Sequence, residues 1–241
     1  MRRALPAAAA TARLSDEAYN VIKRAIVACE LEPGSEVTEA QLCERFGAGK
    51  ASVRAALVML AGDGLVRPVA RRGYVIAPVT LKDAHDVFDV RSILEPAAAR
   101  QAVGRVDLSL LRELDAVIRA RRGKAGRDAR QATLEANRAF HQAIVEACGN
   151  NRLARMLGKV LEETERLLHF GSRLKGGAAN SVQEHQDLID AFATGDADAA
   201  EAAARRHIDD GRALILDALL SSPGLMTYQI PLGAEARRRR G

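Results

Sequence analysis

Residues 38–77 read TEAQLCERFGAGKASVRAALVMLAGDGLVRPVARRGYVIA, and the spacing inside this stretch decides the fold. Thr38-x-x-Gln41 is a capping box, in which side chains satisfy the first free N–H groups of a helix. A second helical pattern follows the turn Phe46-Gly47-Ala48-Gly49. There Val53, Ala56, Leu57 and Leu60 recur at core-facing spacing. Lys50 and Arg54, four residues apart, share the opposite face. Gly62-Asp63-Gly64 ends that helix. Leu65-Val66-Arg67 and Tyr74-Val75-Ile76 then read as short strands, joined by the basic tip Arg71-Arg72-Gly73.

Helix, tight turn, basic helix and basic hairpin together describe a winged helix-turn-helix. A helix fits the major groove, where cations on its leading face reach base edges and phosphates. A hairpin beside it can set arginines on the backbone or in the minor groove. From Arg45 to Arg72 there are six Lys/Arg against one acid, Asp63. A charge run is more often a plain solvated face, but here turn, strand pair and basic tip coincide. The candidate DNA-binding residues are therefore Lys50, Ser52, Arg54, Arg71, Arg72 and Gly73, and the partner is double-stranded DNA. A helical stripe from Ser15 to Cys29 (Ala18, Val21, Ile22, Ala25, Ile26) supplies the third helix such a domain needs.

The remaining chain is of a different kind. At 241 residues there is room for two domains, and 48% hydrophobic residues can build two cores. Residues 1–80 carry 11 Lys/Arg and 8 Asp/Glu, whereas residues 81–221 carry 21 and 22. A basic front joined to a near-neutral body suits a DNA reader attached to something that is not one. Only 3% of residues are aromatic, and Ala, Leu, Arg and Glu dominate, which favours helices. No run of eighteen apolar residues is present, so no membrane partner is expected. Cys29, Cys43 and Cys148 are odd in number and widely spaced. They read as reduced, buried thiols of a cytoplasmic protein rather than a disulfide framework.

The expected organisation is a flexible arm over 1–13, the DNA-binding domain over 14–78, an all-helical domain over 81–220 and a flexible basic tail over 221–241. The tail ends in four consecutive arginines, 237–240. Six helices are expected in the second domain, over about 81–103, 107–122, 128–148, 151–172, 181–194 and 196–220. Pro96 should kink the first of these. The fold class is mainly α: a winged helix-turn-helix with a small hairpin wing, plus a helical bundle.

Polar residues on apolar faces mark the candidate site of the bundle. Leu134, Asn137, His141, Ile144 and Cys148 share one face, which sets Asn137 and His141 inward. His185 keeps company with Val182, Leu188 and Phe192, and His207 with Ala200, Ala203 and Leu214. Arg91 falls among Ala84, Val87, Phe88, Leu94 and Ala98. His85 and His169 fall clearly on no such face. A lone inward histidine is usually a hydrogen-bonded core residue, but three from three helices can converge on a divalent metal or a ligand.

Two resemblances sharpen this reading. Gly47 to Leu57, with Leu60, Gly64-Leu65-Val66 and Arg72-Gly73, resembles the DNA-binding domain of GntR-family transcription factors. In that comparison Lys50 and Arg54 match the two cations that read bases and phosphates. Gly49 and Ala51 replace the usual hydroxyl-bearing residues, and Ala40 a frequent arginine. Residues 81–215 resemble the FadR-type (FCD) ligand-binding domain, through Val90-Arg91-x-x-Leu94-Glu95, Phe140-His141-x-x-Ile144, Ala147-Cys148-Gly149-Asn150, Glu184-His185, Ala193-x-Gly195-Asp196 and His207. Six helices rather than seven are similar to the VanR-type branch.

The resemblance implies a divalent metal, zinc or similar, held by Asn137, His141, His185 and His207. Asn137 stands where most metal-binding members have Asp, which weakens the site. It also implies a small organic-acid effector held by Arg91, and a homodimeric repressor on an operator of two-fold symmetry. The competing readings are a metal-dependent enzyme acting on a small acid, and a DNA-binding protein with a purely structural dimerisation domain. No inward-patterned Asp or Glu offers itself as a general base, which counts against the enzyme.

Overall fold

The computed structural model describes residues 7–124, 126–174 and 185–221. The chain orders itself as α1 (Ala7–Val27), β1 (Glu36–Val37), α2 (Glu39–Phe46), α3 (Lys50–Gly62), β2 (Val66–Val69), β3 (Gly73–Ile76), α4 (Leu81–Ala102), α5 (Leu108–Arg119), α6 (Arg127–Ala147), α7 (Asn151–Leu174), α8 (Gln186–Thr194) and α9 (Ala197–Leu220). One expectation changes at the N-terminus. Helix α1 begins at Ala7, inside the stretch expected to be a flexible arm, because a run of alanines has the highest helix propensity. The basic tail beyond Ser221, and the first residues of the helix expected over 181–194, lie outside the described residues.

In the first domain Thr38 caps α2 as expected. Its backbone N–H donates to Gln41 Oε1 at 2.8 Å, and the Gln41 N–H donates to Thr38 Oγ1 at 3.2 Å. Gly47 ends α2 in the left-handed region at φ 63°, the conformation that turns the chain into α3. Ile22 and Ile26 of α1, Leu42 of α2, and Val53, Leu57 and Leu60 of α3 form one fully buried cluster. The wing is a three-stranded antiparallel sheet of order β1-β3-β2, with Val37 opposite Tyr74 and Arg67 opposite Val75. Its third strand, β1, is too short to show a period in the sequence.

Among the described residues the second domain has six helices, as expected, the fifth described from Gln186. Helix α4 is central, packing on α9, α7 and α6. Pro96 sits buried inside it. Proline lacks an N–H, so the Ser92 carbonyl one turn earlier loses its helical partner. The Arg205 guanidinium of α9 reaches that oxygen at 3.4 Å. Two arginines of α7 meet the first domain, Arg166 donating to the Ala77 carbonyl and Arg173 to the Cys29 carbonyl. No helix among the described residues is long and apolar enough to cross a membrane.

Candidate functional site

The sequence-derived DNA face is sorted by the fold. Lys50 and Arg54 lie on the exposed side of α3, the Arg54 side chain being 63% exposed. Ser52 does not join them. It is 7% exposed, on the same inward row as Ala56 and Leu60. Arg71 and Arg72 are exposed at the wing tip, Arg71 in the left-handed region at φ 62°. Gly73 shapes the wing that carries these arginines. It takes φ 110°, and a Cβ there would stand 2.5 Å from the Val37 carbonyl oxygen. Glycine lets β3 lie close against β1.

Counting charge along Arg45–Arg72 misses the acids that fold back onto it. Glu39 accepts from Arg54 Nε and Nη2, each at 3.0 Å. Glu36 accepts from Arg72 Nη1 at 3.3 Å, and Glu30 lies 3.5 Å from Arg45 Nη2. All three acids precede the counted stretch, so a local charge count cannot see them.

In the bundle, three of the five histidines converge. His141 comes from α6, His185 from the residue preceding α8, and His207 from α9. Their ring centroids are 5.3 Å (His141–His185), 5.2 Å (His141–His207) and 4.7 Å (His185–His207) apart. One nitrogen from each lies within 4.8 Å of the others. The inward position of His185 does not come from helical periodicity, because it stands at the N-cap of α8. Asn137 is buried one turn before His141. His85 is exposed, while His169 is buried on α7, 3.8 Å from Glu165 and outside the cluster. That burial corrects the sequence reading, which found no inward face for it.

Two buried carboxylates stand behind the histidines, contrary to the expectation that no acid points inward. Asp115 Oδ1 accepts from the His185 backbone N–H at 3.0 Å and lies 3.3 Å from His185 Nδ1. Arg119 Nε approaches its other oxygen at 2.8 Å. Although burial pushes the Asp115 carboxyl up, His185 and Arg119 outweigh it and hold it below the usual carboxylate range. An ionised Asp115 assigns the proton to His185 Nδ1. That leaves His185 Nε2 as a lone-pair acceptor, and this nitrogen is buried without a hydrogen-bond partner.

Glu95 plays the corresponding part for His141, with Oε1 lying 2.6 Å from His141 Nδ1. Glu95 also takes Arg91 in a bidentate pair, at 2.7 Å from Nε and 3.2 Å from Nη2. Burial opposes its ionisation, but the Arg91 charge and then His141 prevail. The Arg91 guanidinium lies 5.2 Å from the Phe88 ring centroid as well. It is therefore already gripped from one side, where the sequence left it free for an effector. Burial lowers the pKa of His185 to about 4 and that of His207 well below the usual range. Both rings are neutral near pH 7, the form a metal needs. A cavity of about 370 Å³ reaches His207, rimmed by Gln186, Asp187, Arg206 and Asp210.

This donor set fits a divalent ion. Neutral imidazoles backed by carboxylates are how proteins orient metal-ligating histidines. An unpartnered nitrogen buried in a polar cluster is otherwise costly.

Comparison with known proteins decides the family. Residues 14–76 match the sequence profile of bacterial regulatory proteins of the gntR family, and residues 86–210 match that of the FCD domain. The chain is a GntR-family regulator with an FCD domain. This regulator is 29% identical over 154 residues to the HTH-type transcriptional regulator YdhC of Bacillus subtilis, covering 63% of this chain and 66% of that protein. It is 28% identical over 217 residues to the galactonate operon transcriptional repressor of Escherichia coli, covering 80% and 93% respectively. Among solved structures, McbR/YncC of E. coli shares the fold, with a TM-score of 0.69 at 19% identity over 85% of this chain and 97% of that one. The GntR match spans α2, α3 and the wing, and the FCD match spans all three clustered histidines. The protein is a DNA-binding transcriptional regulator, and its relatives are regulators rather than enzymes.

Proposed function

We infer that this regulator is a homodimeric repressor of the FadR subfamily, VanR-like in its six-helix second domain, whose grip on DNA is set by a metal-assisted organic-acid site. The observation that carries the reading is the buried, unpartnered His185 Nε2, turned toward His141 and His207 by Asp115. His141, His185 and His207, with Asn137 as a weaker uncharged donor, would hold the ion. A divalent cation there supplies positive charge and open positions for a carboxylate. Arg91 adds a fixed positive charge beside the cluster while Glu95 keeps it in place. The relative named as repressor of the galactonate operon, galactonate being a sugar acid, supports both repression and the effector class.

The chain's own residues suggest how occupancy reaches the DNA. His141, His185 and His207 come from α6, the start of α8 and α9, so an ion shared by them would tie these three elements together. Helix α7, packed on α6 and α9, holds the end of α1 and of β3 through Arg173 and Arg166. Shifting α7 shifts the DNA-binding domain. One recognition helix reads only a few base pairs, so two protomers on a two-fold symmetric operator are needed. The convergence of three imidazoles from three separate segments supports this reading over a purely structural second domain.

Elemental analysis and zinc titration calorimetry on the wild type and His185→Ala test the reading. Near-stoichiometric divalent metal is expected in the wild type and a large loss in the variant. Protein that holds no metal and takes up none near neutral pH would refute the metal-assisted site.

A further inference from the structure

Arg54 does not wait for DNA as a freely moving side chain. Both oxygens of Glu39 hold it, Oε1 at 3.0 Å from Nε and Oε2 at 3.0 Å from Nη2. Glu39 is itself fixed. It is the first residue of α2, directly after the Thr38–Gln41 capping box, where the helix N-terminus favours a negative charge. Its side chain is 20% exposed, against 63% for Arg54, so the acid is the anchored member and the arginine the exposed one.

We propose that Glu39 is a positioning residue for sequence reading, holding the inner edge of the Arg54 guanidinium so that its outer edge is presented to a guanine. The proposal rests on the reading of α3 as the recognition helix. The chemistry follows from the guanidinium's fixed fork of five N–H donors. Glu39 uses Nε–H and one hydrogen of Nη2. Two hydrogens on Nη1 and one on Nη2 remain, and these form the paired edge that matches O6 and N7 of guanine in the major groove.

Pre-setting the side chain also removes most of the rotamer freedom that binding would otherwise have to freeze. The pair is neutral overall, so Arg54 adds less to non-specific phosphate attraction than an unpaired arginine would. Glu39 thus trades general affinity for discrimination. A carboxylate that merely competed with DNA for Arg54 would do the opposite, weakening operator and random DNA alike.

The test uses the full-length protein and an operator duplex selected from a random-sequence pool by the wild type. Dissociation constants for that duplex and a scrambled one of equal length are measured at fixed salt for wild type, Glu39→Gln, Arg54→Ala and the double variant. Glu39→Gln should keep or gain affinity for scrambled DNA, while the operator-to-scrambled ratio falls roughly tenfold, within the range a bidentate base contact supplies. In the Arg54→Ala background the same change should leave that ratio unaltered. Operator affinity that rises with the ratio intact would overturn the proposal, as would an equal loss on both duplexes. Arg54→Ala binding operator like wild type would defeat the base-reading assignment itself, and the proposal with it. Thermal melts accompany each variant. If Glu39→Gln melts early, Glu39→Asp keeps the helix-terminal charge but shortens the reach, and the same fall in ratio is expected.

Discussion

Asp115 of α5 and His185, 70 residues apart in sequence, meet in the core with Asp115 Oδ1 accepting the His185 backbone N–H at 3.0 Å and facing its Nδ1 at 3.3 Å. The aspartate fixes the ring, and the opposite nitrogen is turned into the histidine cluster.

Replacing Asp115 with Asn should therefore loosen metal binding without removing a ligand. A lost partner behind a ligating histidine costs roughly 10–100-fold in metal affinity. Zinc titration of Asp115→Asn beside the wild type checks this. An unchanged affinity would mean that His185 presents a different nitrogen.

Asn137→Asp should act in the opposite direction. It supplies a charged oxygen one turn before His141, where the present amide is neutral, and metal affinity should rise. Competition against a chromophoric chelator measures it. No gain would place the Asn137 side chain outside the ligand set.

The pH dependence has a definite sign. The folded-state pKa of His185 is about 4, below the ordinary imidazole value of about 6.5. Between these values the unfolded chain binds more protons, so stability falls as pH drops through that window. For this one histidine the slope approaches about 1.4 kcal/mol per pH unit. Asp115 and Glu95 face the cluster with lowered pKa values, and their stabilisation fades only at lower pH still. Urea midpoints of chelator-treated protein at pH 7.5, 6 and 5 should decline steadily. A solvent-exposed imidazole would set the onset of proton competition for a metal near pH 6.5. Burial moves it lower.

Gly73→Ala should damage the wing. The new Cβ would stand 2.5 Å from the Val37 carbonyl oxygen, at a φ of 110° that L-residues rarely adopt. A destabilisation of about 1–3 kcal/mol is expected, with DNA affinity falling as the wing shifts. A melting temperature equal to wild type would show that β1 can move away freely.

Local signals carried most of the fold. The capping box at Thr38, the turn glycine at 47 and the stripe from Val53 to Leu60 all depend on neighbours within a turn or two. The pairings that build the sites do not. Glu39 reaches Arg54 and Asp115 reaches His185 only after the chain folds back, and no period announces them. Glu95 was within reach of sequence reasoning, since Arg91-x-x-x-Glu95 places both on one helical face. His185 was assigned inward from a helical stripe, yet it precedes α8 and owes its place to Asp115. Ser52, named with the DNA-facing residues, has the helical phase of the buried Ala56.

The central claim is that the histidine centre controls the hold on DNA, and operator affinity tests it most directly. Fluorescence anisotropy on a selected operator duplex, with zinc present and a panel of small carboxylic acids added singly, should find an acid that changes the dissociation constant of the wild type by roughly 5–150-fold, the usual span of allosteric coupling. The same acid should leave His185→Ala unchanged. An acid that shifts both proteins equally, or a wild type that no acid shifts, would contradict the account.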